Sequence, residues 1–85
     1  MGEFLTTAQR RQFEADFLVT LQRSRAALAR IDSSNLNAGQ RDTAERIRVF
    51  IDQADAERAR DIATALQLAR RADLLGQDLL KSLPQ

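Results

Sequence analysis

Phe13, Phe17, Leu21, Leu28 and Ile31 recur at steps of four and seven. That is the spacing of one face of an α-helix and not the two-residue alternation of a half-buried strand. Thr6 followed by Gln9 has the form of a capping box, so the pattern predicts a first helix over roughly residues 6 to 31. Leu18, Val19 and Ala26 are read as widening its apolar arc, while Asp16, Arg23 and Arg30 repeat every seven residues as a solvated stripe. Asp32-Ser33-Ser34-Asn35 then supplies four side chains that can bond their own backbone and compete with helix continuation. A turn belongs there.

Asn37 with Gln40 offers a second capping box, and Leu36 just before it is placed to fold back onto the bundle. A second helix over about 38 to 59 turns Ala44, Ile47, Phe50, Ile51 and Ala54 inward and Glu45, Arg48, Asp52 and Asp55 outward. Its end is the hardest boundary, because residues 56 to 65 contain neither glycine nor proline. A helix running unbroken from 38 to 83 would be about 69 Å long, with most of its apolar face beyond reach of the first helix unless chains associate. Burial therefore favours a break with Asp61 as N-cap, followed by a third helix over about 62 to 83. That helix carries Ile62, Ala65, Leu66, Ala69, Ala72, Leu75, Leu79 and Leu83. Gly76 inside this stripe implies fraying or a close neighbour, and fraying is the expectation. Pro84 is a stop.

The expected fold is an all-α, up-down-up antiparallel three-helix bundle. Phe13, Phe17, Leu21, Leu28, Ile47, Phe50, Ile51, Leu66, Ala69 and Leu79 should fill its centre. The alanines of the third helix should allow close approach to the second near residues 54 to 69.

Eighty-five residues allow one small domain. Residues 1–5 are expected to be a cloning scar or disordered lead, since Glu3-Phe4 is what a common cloning site encodes in frame, and residues 6–85 the bundle. Cysteine and histidine are absent, which removes disulfides, thiolate chemistry, the commonest metal ligands and the commonest general base. The serines, threonines and carboxylates sit in no phosphate loop, metal loop or nucleophile elbow. Asp52 and Asp55 stand one helical turn apart but fall short of a cation cage. The chain is read as non-catalytic, with no cofactor, no metal and no small-molecule substrate. It contains no apolar run long enough to span a membrane.

Twelve of the thirteen basic residues are arginine, which points first to a GC-rich bacterial gene and second to phosphate contacts. Arg10, Arg11, Arg70 and Arg71 are the candidates for the second reading, a small nucleic-acid-associated protein. Against it, the net charge is only +1, basic residues are interleaved with acids along the whole chain, and no tyrosine or tryptophan offers a stacking platform.

Residues from Arg60-Asp61-Ile62 through Ala65, Ala69 and Ala72 resemble the second half of a tetratricopeptide-type helical hairpin over about a quarter of the chain. Arg60 stands where that family has glycine, and the preceding helix lacks the family's Trp-Leu-Gly-Tyr pattern. The wider order, Gln-Arg, Ile-Arg-x-Phe-Ile, Asp-Gln-Ala and an alanine-rich closing helix, is similar to helical segments of bacterial envelope-associated proteins. The resemblance implies a scaffold or docking role for a soluble domain of a larger parent, and no catalytic residue. The leading expectation is a protein–protein interaction or assembly module, binding another protein or itself through helix packing. Leu18, Leu68, Leu74 and Leu75 are its candidate contact residues, with the alternative that Leu68 and Leu75 merely widen the core.

Overall fold

The computed structural model describes residues 5–83 and contains among them three helices, α1 (Thr7–Asp32), α2 (Ala38–Glu57) and α3 (Ile62–Ser82), and no strand. Four of the five residues in the expected lead, and Pro84, lie outside the described residues. Leu5, the fifth, packs against the core.

All three helix starts are set by the side chains that the spacing singled out. The Thr6 hydroxyl accepts from Gln9 N at 3.0 Å while Gln9 Oε1 accepts from Thr6 N at 2.9 Å. Asn37 and Gln40 make the same reciprocal pair at 2.8 and 2.9 Å. Asp61 accepts from the backbone N–H and the hydroxyl of Thr64 at 3.2 and 2.8 Å. Each cap satisfies donors that a helix N-terminus leaves without partners.

The stops are equally local. Ser33 and Ser34 both donate their hydroxyls to the Arg30 carbonyl at 2.9 Å, closing α1 with side-chain bonds. At the second connection, Arg60 N and Asp61 N both donate to the Glu57 carbonyl, at 2.9 and 2.8 Å. Asp61 then turns to extended dihedrals, φ −154° and ψ 95°. α2 therefore ends at Glu57, two residues before the expected boundary, and the reversal uses neither glycine nor proline.

The side-chain pairs across helices give the topology. Ser24 meets Ala69 and Ala27 meets Gly76, so α1 and α3 run parallel. Arg25 meets Asp55 and Asp32 meets Arg48, so α1 and α2 run antiparallel. The bundle goes up, down, up. It is 44 Å long, a little more than the roughly 39 Å of a 26-residue helix. α3 is the central element, packing closely against both other helices, while α1 and α2 approach each other less closely.

Phe17, Leu21, Leu28 and Ile31 from α1, Ala44, Ile47, Ile51 and Ala54 from α2, and Ile62, Ala65, Leu66, Ala69, Ala72 and Leu79 from α3 form the core. Phe13 and Phe50, expected at the centre, are only half-buried at its margin. Phe13 lies on the inward line of α1 but in its first turns, at the end of the bundle, and Phe50 stands about 80° to the side of the inward line of α2. Leu18, Val19 and Ala26 do not widen the core; they are exposed. At 100° per residue, Val19 and Ala26 point nearly opposite to the stripe of residues 17, 21, 24, 28 and 31, and Leu18 lies about a quarter turn aside. Gly76 does not fray. It is buried in mid-helix, and a Cβ placed there would stand 3.2 Å from the Ala27 Cβ. Leu36 packs back onto the core as its position before the cap predicts.

Candidate interaction surface

Ser24 marks a close contact between α1 and α3. It is fully buried, and its hydroxyl donates to Thr20 O at 2.9 Å and to Ala69 O at 3.3 Å across the α1–α3 seam. No periodicity of apolar residues could have selected it. Its position on the core stripe, between Leu21 and Leu28, was the available signal.

Charged groups bind the helices at the rim. Arg58 of the second turn pairs with Glu14 at 3.1 Å, and its guanidinium lies 5.4 Å above the ring of buried Phe17. Arg25–Asp55 at 3.6 Å and Arg23–Asp73 at 3.7 Å tie α1 to its two neighbours. Such exposed pairs contribute at most about 1 kcal/mol each, so they trim the helix register more than they hold the fold. Asp55 is thus engaged by an arginine and does not stand with Asp52 as a free carboxylate pair. Among the described residues no three Asp or Glu side chains are grouped closely enough to hold a metal ion.

An open cleft of ≈ 470 Å³ lies where the α1–α2 connection passes the first turns of α2. Arg48 dominates it. Its two Nη atoms donate to the two Asp32 oxygens at 3.1 and 3.2 Å, and its Nε to Glu45 at 3.3 Å. Donation to the Asp32 carboxylate, aided by that to Glu45, holds the Arg48 guanidinium above its ordinary pKa. Asp32, Glu45 and Arg48 therefore satisfy one another as a structural brace, while Arg41, which also lines the cleft, makes no ion pair among the described residues.

The candidate contact leucines do not form one patch. Leu18 is 47% exposed on α1 and Leu74 is 64% exposed on α3, well apart around the bundle. Leu74 has Arg70, Arg71, Gln77 and Asp78 as its neighbours one turn away on the helix surface. Leu68 and Leu75 are half-buried against the core, seven residues apart on the flank of α3 away from the Ser24 and Gly76 contacts. Val19, 58% exposed beside Leu18, was not among the candidates.

Arg10, Arg11, Arg70 and Arg71 are all exposed and make no ion pair among the described residues. They are not gathered into one site. The Arg23–Asp73 register sets Arg70 and Arg71 beside residues near 20 of α1, about 15 Å along the axis from Arg10 and Arg11.

No described helix is long and apolar enough to cross a membrane. In comparisons with known proteins, no family model, no curated protein and no solved structure matches this chain.

Proposed function

We propose that the chain is a non-catalytic helical module for protein–protein interaction or assembly. One observation carries the reading: the interior is closed and every buried side-chain polar atom among the described residues is partnered, yet Leu18, Val19 and Leu74 stand in solvent. Helices that spend large apolar side chains on their outer faces present contact surface to another helix. The half-buried Leu68 and Leu75 border the α2 side of the same central helix and extend what a partner would meet. The resemblance of the third helix to a tetratricopeptide-type hairpin supports a scaffold role, and the arginine-for-lysine usage supports a GC-rich bacterial source.

Leu74→Glu is the deciding substitution. It should leave helicity and melting temperature nearly unchanged, because the side chain is mostly in water, while reducing partner capture. A large loss of stability would move Leu74 into the packing of the bundle and remove it from the contact surface.

A further inference from the structure

Residues 8, 12, 15, 19, 22, 26 and 29 follow one another along α1 at alternating steps of four and three, and all seven are exposed. They read Ala, Gln, Ala, Val, Gln, Ala, Ala. At 100° per residue this line lies about 180° from the core stripe, which is where a helix at the surface of a bundle is normally most charged. In a chain with 29% charged residues, it carries none. Apart from Arg10 and Glu14, which lie toward the core side at the start of the helix, the charges of α1 stand along its two margins: Arg11 and Arg25 with Leu18 and Asp32 on one side, Asp16, Arg23 and Arg30 on the other. A 3-4 spaced uncharged seam between charged margins is the layout of a helix that packs against another helix.

Resting on the interaction-module reading, we propose that this face is covered by α1 of a second copy, packed antiparallel about a two-fold axis between Thr20 and Leu21. The margins decide the occupant and its direction. With seam residues paired so that Val19 faces the second copy's Gln22 and Ala15 its Ala26, the margins bring Asp16 opposite Arg23 and Arg11 opposite Asp32. The two-fold makes each pair twice. No like charges meet, and Leu18 lies along the aliphatic stem of Arg25. A parallel arrangement would pair Arg11 with Asp16 but set Arg25 against Arg30, each twice, so that its attraction and repulsion offset. Self-complementarity of this kind is what an isologous contact requires.

The groups are free to do it. Arg23 reaches its own Asp73 only through Nε at 3.7 Å, leaving the outer edge of a 60% exposed guanidinium. Asp16 accepts from Gln12 at Oδ1 alone. Asp32 is already chelated by Arg48, so the central Asp16–Arg23 pairs carry the orientation. Alanines along the seam let the backbones approach to about 8 Å. A seam about 32 Å long buries on the order of 1,000 Å² in total, the low end for a specific contact, so the dimer should dissociate on dilution.

Sedimentation equilibrium of the intact chain from about 5 µM to 1 mM tests this. Expected is a monomer–dimer equilibrium that Val19→Glu shifts at least about tenfold toward monomer without lowering the melting temperature. Asp16→Arg and Arg23→Asp should each weaken the dimer, and the two together should restore it. Since the chain has no cysteine, a spin label at Arg30→Cys is unique; antiparallel packing sets the two labels about 29 Å apart along the axis, parallel packing within about 15 Å. A monomer throughout, a dimer indifferent to Val19→Glu, failure of the double swap to restore association, or the short label distance each overturns the seam. A monomer throughout leaves the wider docking reading to the Leu74→Glu capture experiment.

Discussion

Ala27 and Gly76 face each other across the α1–α3 seam so closely that a methyl on Gly76 would sit 3.2 Å from the Ala27 Cβ. Both belong to the backbone-proximal part of their helices, so neither can swing aside. Replacing Gly76 by alanine relieves a mid-helix propensity penalty of about 1 kcal/mol but forces the helices apart by a few tenths of an ångström. The two effects should nearly cancel, leaving Gly76→Ala within about 1 kcal/mol of the parent, whereas Gly76→Val should cost more than that. Adding Ala27→Gly makes room, so the double variant should be more stable than the sum of its singles by at least about 0.5 kcal/mol in urea melts; strict additivity would mean that the contact is not tight.

Ser24 holds the same seam one turn earlier. Its buried hydroxyl bonds two carbonyls, of which Ala69 O lies inside α3. Ser24→Ala leaves no donor unpaired and should cost about 0.5 to 1.5 kcal/mol, while Ser24→Leu should destabilise by more because there is no volume to receive it. Equal denaturation midpoints for the two variants would refute close packing here.

Phenylalanine truncation separates centre from margin. Phe17 is fully buried, so Phe17→Ala should cost about 3 to 5 kcal/mol and threaten folding altogether. Phe50 retains solvent contact at the margin, and Phe50→Ala should cost roughly 1 to 2.5 kcal/mol. If calorimetry ranks the two the other way, the assigned core is wrong.

Asp61 gives the second connection a pH dependence. Hydrogen bonds from the Thr64 hydroxyl and backbone hold its carboxyl below the ordinary value of 3.8. A folded-state pKa that is depressed contributes stability above the unfolded pKa, and that contribution is lost as pH falls through the folded value. Urea midpoints should therefore decline below about pH 4 more steeply for the parent than for Asp61→Asn; parallel curves would show that the carboxylate does not cap α3.

Nucleic-acid titrations complete the set. With Arg10 and Arg11 separated from Arg70 and Arg71 and five arginines tied to acids, duplex DNA, single-stranded DNA and RNA should give flat signals at micromolar protein in low salt. Binding that falls steeply with added salt would instead restore a phosphate-contact role.

The elements of this fold are legible along the chain because their determinants are local. Thr6 with Gln9, Asn37 with Gln40, and Asp61 each act within one turn, and Ser33 and Ser34 stop α1 by bonding a carbonyl three or four residues back. The apolar stripe of each helix likewise follows from its own spacing, so three helices and their inward faces could be read directly.

Which apolar residues face inward at the margins was decided only by assembly. Periodicity treats Leu18, Val19 and Ala26 as extensions of an apolar arc, but a helix that packs closely on one neighbour and more loosely on the other covers a narrower arc than its sequence offers. Gly76 reads as a weakness in isolation and becomes the point of closest approach once Ala27 of α1 stands opposite, a residue 49 positions away. Ser24 becomes a core residue by reaching Ala69, and Phe13 and Phe50 are left at the rim of the packed bundle. Local hydrogen bonding and side-chain periodicity lie within one helix and are written in consecutive residues; interhelical distance depends on volumes contributed by two segments at once, and only the packed bundle sets it.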